Sequence, residues 1–220
     1  QGRSVSWQKC LMLGQDFARK YERLIWIDSD IVFNIAKAPP IAAEVPIEKI
    51  GAVVSGDYIH PELKRVRLER VRRRSYGEPP PAKVWEEDQR AFYAQYGLDP
   101  GTGDIVQAGV LVLSPPHHRE LLEHVYHENY RTETRSYEQI PLSYEIMSRG
   151  LLHRLNSRFN TVFIERLIVH YPYLLNTQLA NYEDLARQAV AAEFNNAYLL
   201  HFASERNFIR YLFKPAAGKD

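Results

Sequence analysis

The chain has 220 residues, 45% of them hydrophobic and 25% charged, close to the globular average, which excludes disordered and fibrous classes. Its 28 basic residues against 27 acidic ones leave a net charge of +1, so charge gives no reason to expect nucleic acid as a partner. One cysteine, Cys10, excludes an internal disulfide framework and a cysteine-rich zinc site, and no apolar run approaches the roughly 20 residues of a membrane helix.

The sequence opens at Gln1 without a start methionine or a signal-peptide pattern and enters helix-like sequence almost at once, as an excised or processed piece would. Trp7, Cys10, Leu11, Gly14, Phe17 and Tyr21 recur at steps of three and four, which predicts a helix over 4–21. The apolar run Leu24–Ile27 predicts a strand buried on both faces, as in a parallel sheet, and Ile50–Val54 and Val110–Leu113 read the same way. Ser114 followed by two prolines predicts the start of a helix to about Tyr130. Further helices are expected from Gln139 to Arg149, ended by Gly150, and from Asn181 to about Phe194, with a short strand at 198–202. Strands alternating with helices predict a single α/β domain over 1–220 with a mixed, largely parallel sheet. Between about 57 and 104 the pattern weakens around Glu78–Pro81 and Asp99–Gly103, and a loop or insertion is expected there.

Asp28-Ser29-Asp30, directly after the strand at Leu24–Ile27, carries the most chemistry. In open α/β sheets ligands bind beyond the carboxyl ends of strands. Two aspartates at i and i+2 at such an end can reach one hard divalent cation, Mn²⁺ or Mg²⁺, which would neutralise a diphosphate leaving group. The bland alternative is a turn with solvated carboxylates. Two enzyme classes use this local pattern: the Asp-x-Asp motif of glycosyltransferases, and haloacid-dehalogenase phosphatases, in which the first aspartate is the nucleophile.

The remaining segments resemble GT-A-fold (Rossmann-like) glycosyltransferases, and among them the retaining glycogenin-like and lipopolysaccharide-galactosyltransferase group. Ser6–Leu11 resembles a helix with a basic residue near the donor, and Leu24–Phe33 the strand that bears the metal motif. Ile50–Val54 resembles the next strand, and Gln107–Leu113 the strand whose amide and glycine approach the sugar. Tyr137–Leu142 resembles the helix start beside the sugar, and Leu199–Phe202 the late strand whose histidine completes the metal site. The family's opening strand and helix, which hold the nucleobase, would lie before Gln1. Gln107 stands where the family has asparagine and Glu138 where it has aspartate. The phosphatase pattern also needs a later acidic pair near a lysine, and none is convincing.

The resemblance implies a metal site of Asp28, Asp30 and His201, with a hydrogen-bond acceptor on the other ring nitrogen orienting the histidine. It implies donor contacts at Lys9, Asp28, Gln107, Gly109 and Arg206, with Gln139 and Glu138 at the reacting sugar. The implied reaction moves a hexose from a nucleotide-diphosphate sugar, a UDP-sugar first among them, to a hydroxyl of a glycan or other acceptor, with retention. Were the chemistry inverting, Glu138 or Asp57 would be the base. A non-catalytic sugar-binding or scaffolding relative is the alternative from another class. The basic run Lys64–Arg74 reads as a solvated face rather than an anion site, and His117, His118, His124 and His127 as surface histidines. With no membrane span, a cytoplasmic or otherwise soluble location is expected.

Overall fold

The computed structural model describes residues 3–55, 93, 94, 96–99, 101, 104–128, 138–203 and 205–213. The basic run Lys64–Arg74, the turn-rich stretch at 78–81 and Asp57 lie outside the described residues. The strands are β1 (Leu24–Ile27), β2 (Ile31–Phe33), β3 (Ile50–Ser55), β4 (Ile105–Leu113), β5 (Leu152–Arg154), β6 (Thr161–Val162) and β7 (Leu199–His201). The α-helices are α1 (Pro115–His127), α2 (Gln139–Ser148), α3 (Phe163–His170), α4 (Tyr182–Asn196) and α5 (Arg210–Phe213). They form two compact units, one containing residues 3–28, 40–55 and the described part of 93–157, the other residues 29–39, 158–203 and 205–213.

The first unit is built on a four-stranded sheet in the order β1-β4-β3-β5. The expected α/β class with a mixed sheet flanked by helices holds, but the parallel share is small. Both β1 and β3 run antiparallel to β4, and only β5 runs parallel to β3. Position in the sheet also corrects the burial expected of β1, which among the described residues pairs on one side only. Its exposure alternates, with Ile25 and Ile27 each 41% exposed and Leu24 and Trp26 turned toward the core. The central strand β3 is buried at every residue, as its unbroken apolar run requires. A Cβ on Gly51 would lie 2.8 Å from the Val45 side chain, so the glycine permits that close packing.

The register between β3 and β4 contains a bulge. Ala52 pairs with Leu111 and Val54 with Val106, so two steps along β3 are matched by five along β4. Three extra residues therefore bow out of β4 between these pairs, across Gln107–Val110.

The predicted first helix is a 3₁₀-helix over Val5–Gly14, followed by a short one over Ala18–Lys20, rather than one α-helix. Its three-residue turn explains which side chains are buried: Trp7, Cys10 and Leu13 fall in one line, while Phe17 and Tyr21 are about half exposed. That line packs with Leu121, Leu122 and Val125 of α1 and with Leu142 and Ile146 of α2. Burial pushes the Cys10 thiol up to about 12, so the one cysteine is an inert core residue.

α2 ends where its glycine predicts. Gly150 has φ of +63°, its N–H donates to the Met147 carbonyl at 3.0 Å and the Leu151 N–H to that of Ile146 at 2.8 Å, the paired bonds of a Schellman end. α1 starts differently from expectation. The Ser114 side chain caps nothing; instead the Ser114 N–H donates to Nδ1 of His118 at 2.8 Å. His118 is therefore fully buried, not a surface histidine, whereas His117 and His127 are exposed and His124 is half-buried.

The second unit has a three-stranded sheet in the order β2-β7-β6. β2 runs antiparallel to β7, with Ile31 opposite His201, and β6 runs parallel to it, with Val162 opposite His201. Phe163 of α3 meets Phe202 and Phe208 at ring-centroid distances of 5.3 and 5.0 Å, over Ala186, Ala189 and Val190 of α4. Asn34 binds the start of this sheet to α4: its side-chain amide donates to the Phe194 carbonyl at 2.9 Å and its backbone N–H to that of Tyr198 at 2.8 Å. Among the described residues, no helix is long and apolar enough to cross a membrane.

Burial holds the His118 imidazole below its ordinary value of 6.5, partly offset by the Glu48 backbone. A depressed value means that the folded chain resists a proton that the unfolded chain accepts. The contribution of neutral His118 is thus present above pH 6.5 and lost as pH falls below it. Urea denaturation at pH 7.5 and 5.5 should show the wild type losing more stability than His118→Asn over that interval.

Candidate metal and donor site

Lys9 organises the polar cluster of the first unit. It lies on the 3₁₀-helix one residue before Cys10, only 5% exposed, so the solvated helix lysine that a charge there might suggest is not what forms. Its ammonium contacts Glu138 Oε1 at 2.8 Å and Asp28 Oδ1 at 3.3 Å, and donates to the Ala108 carbonyl at 3.0 Å. The β4 bulge supplies that carbonyl by releasing it from the ladder with β3. Burial alone would lower the ammonium, but the carboxylates of Glu138 and Asp28 outweigh it and hold Lys9 above its ordinary value. Burial pushes the Glu138 carboxyl up, against the pull of Lys9.

The other sequence-predicted residues of this unit surround the pair. Asp28 follows β1, and its backbone N–H donates to the Gly109 carbonyl at 2.9 Å, so Gly109 contributes through its main chain. Trp26 Nε1 donates to Asp28 Oδ1 at 2.6 Å. Gln107, on the bulge, donates through Nε2 to Ser55 Oγ at the end of β3. Glu138 occupies the N-cap position of α2 without a side-chain cap bond, so its carboxylate serves Lys9 rather than the helix end. Gln139, the first residue of α2, donates through Nε2 to the Val106 carbonyl at 3.0 Å.

The second unit gathers Asp30, His201 and Arg206. Asp30 directly precedes β2, and the Phe202 N–H donates to its carbonyl at 2.9 Å, which extends the β2–β7 ladder and sets its side chain beside His201. Asp30 Oδ1 lies 3.3 Å from His201 Nε2, and Arg206 Nε donates to Asp30 Oδ2 at 3.0 Å. Both Asp30 and His201 are buried, whereas the Arg206 side chain is 73% exposed, so its ion pair adds little stability.

His201 Nδ1 is 2.9 Å from Asn160 Oδ1. An amide oxygen only accepts, so the Nδ1 hydrogen belongs to that bond. In the neutral ring, Nε2 then turns a lone pair toward the Asp30 carboxylate. Two acceptors at 3.3 Å fit a shared cation between them, and a carboxylate with an imidazole is a donor set that Mn²⁺ accepts. Asp28, two residues before Asp30 on the chain, belongs to the first unit.

Trp26, Asn160 and Ser55 are polar partners that sequence reasoning missed. Trp26 was within reach, because residues two apart on a strand share a face and an indole N–H needs an acceptor. Asn160 and Ser55 depend on strand pairing across long stretches of chain, for which no local pattern exists.

No family model and no curated protein sequence matches the chain. Solved structures similar to it include the apo structure of WbbM, a bifunctional glycosyltransferase, at a TM-score of 0.50 and 14% identity, over 96% of this chain and 36% of that one. Another is the galactosyltransferase LgtC in complex with donor and acceptor sugar analogs, at a TM-score of 0.49 and 12% identity, over 98% of this chain and 69% of that one. The chain thus spans little more than a third of the length of WbbM. The fold shared with WbbM is the GT-A-like α/β fold that the sequence motifs predict.

Replacing Lys9 by Met would leave two carboxylates without their shared counter-charge, one of them buried, and should cost about 3–5 kcal/mol in urea denaturation. Because the folded value is raised, the contribution of Lys9 is complete below pH 10.5 and fades only as pH rises past the folded value.

Proposed function

We propose that the chain is a metal-dependent glycosyltransferase that moves a hexose from a nucleotide-diphosphate sugar to an acceptor hydroxyl, with retention at the sugar carbon. The observation that carries this reading is the Asp30–His201 pair at the β2–β7 strand ends, with the second nitrogen of His201 committed to Asn160. Asp28, Asp30 and His201 would hold Mn²⁺ or Mg²⁺. A bound divalent cation supplies charge stabilisation for the departing diphosphate.

The protein's own groups have separable tasks. Asn160 fixes the tautomer and ring orientation of His201, as an outer partner of a metal-ligating histidine does. Arg206 steadies Asp30 through Oδ2 and, with its guanidinium mostly exposed, remains able to approach donor phosphate. The bulge carrying Gln107 and Gly109 offers backbone and amide groups to the sugar. Gln139, with its Nε2 on the Val106 carbonyl, presents Oε1 to a sugar hydroxyl. Glu138 lies behind it, its charge balanced by Lys9. A UDP-sugar donor and a glycan acceptor complete the reading.

A thermal-shift screen of UDP-, GDP- and ADP-sugars, each with and without Mn²⁺, tests it. Stabilisation of several degrees that needs both nucleotide-sugar and metal is expected, and Asp30→Ala should abolish that shift while still melting cooperatively. An Asp30→Ala variant that keeps the full metal-dependent shift would remove Asp30 from the site.

A further inference from the structure

Among the described residues, the Asp28 carboxylate accepts hydrogen bonds through one oxygen. Trp26 Nε1 and Lys9 Nζ both donate to Oδ1, at 2.6 and 3.3 Å, and among the described residues no hydrogen bond reaches Oδ2. Trp26 stands two residues before Asp28, on the same side of the extended chain, so the indole N–H meets the carboxylate with little freedom. The ring also lies 5.6 Å from the Lys9 ammonium, which keeps the two donors side by side.

The hydrogen count of Lys9 closes. An ammonium has three donors and no acceptor. Glu138 Oε1, the Ala108 carbonyl and Asp28 Oδ1 take all three, at 2.8, 3.0 and 3.3 Å. None remains for a phosphate or a sugar hydroxyl. Charge points the same way: one ammonium between two carboxylates leaves a net negative charge, suited to a cation rather than to an anionic donor.

We propose that Trp26 and Lys9 are positioning residues of the cation site, which pin Asp28 by Oδ1 so that Oδ2 faces the metal, and that Lys9 does not touch the donor. The assignment rests on Asp28 being a metal ligand. It replaces the donor contact that resemblance gives Lys9, and it adds an indole that no sequence motif marks.

Trp26→Phe tests the first half, because it keeps an aromatic ring at 26 and removes the N–H. Calorimetric titration of the whole chain with Mn²⁺ alone should show binding weakened about tenfold, the usual effect of losing an outer partner of a metal ligand. The melting temperature should stay within a few degrees, and UDP titrated at saturating Mn²⁺ should bind wild type and variant alike. If Trp26→Phe fails to melt cooperatively, Trp26→Tyr offers a second ring without the indole donor. For Lys9, the ¹⁵N resonance of its ammonium in the Mg²⁺-saturated chain should remain in place when UDP is added, whereas a donor contact would shift it. Equal Mn²⁺ affinity in wild type and variant overturns the positioning role while leaving the metal site standing. A shifted ammonium resonance overturns the assignment of Lys9. A wild-type chain that binds no Mn²⁺ overturns the metal site, and the positioning role with it.

Discussion

A lysine ammonium buried in a protein must have every hydrogen met by an acceptor, and around Lys9 that requirement sets the geometry of the first unit. Three separate elements answer it: the end of β1 with Asp28, the bulged part of β4 with the Ala108 carbonyl, and the head of α2 with Glu138. Removing any one leaves a charge or a carbonyl stranded away from water, which costs more than the contact itself contributes. The 3₁₀-helix that carries Lys9 is anchored by the line Trp7, Cys10 and Leu13, so the ammonium reaches its partners from a fixed base.

The second unit solves a related problem around His201. His201 sits on a strand flanked by β2 and β6, and this pairing brings in Asn160, which immediately precedes β6. The amide oxygen commits one ring nitrogen, and the other is then determined in character as well as in place. Asp30 has each oxygen directed to a different partner, His201 on one side and Arg206 on the other. Both units thus use strand ends as rigid mounts for polar groups and leave little rotational freedom to the side chains that matter.

Much of this was legible from sequence. The apolar runs at 24–27, 50–54 and 110–113 are strands, Gly150 ends its helix in the left-handed conformation, and Asn181 opens α4. The motif residues also fall at element ends, where chemistry is accessible. What stayed hidden was relational. Strand direction does not show in a short apolar run, so the antiparallel partners of β1 and β3 read as parallel ones. Steps of three and four fit an α-helix as well as a 3₁₀-helix, and only the burial of Leu13 with the exposure of Phe17 and Tyr21 separates them. His118 looked like one of a group of surface histidines because a capping role depends on where Ser114 turns. The burial of Lys9 follows from three distant segments, none of which announces the others.

The bulge in β4 has a consequence for how such a protein can diverge. The ladder with β3 is regular on both sides of Gln107–Val110, and the surplus residues between belong to neither stretch of it, although Val110 stays opposite Ile27 of β1. Side chains there can be exchanged without sliding the strand against its neighbours, since the register is locked above and below. Substitutions at 107–109 could therefore accumulate on the same scaffold, with drift confined to a window three residues wide.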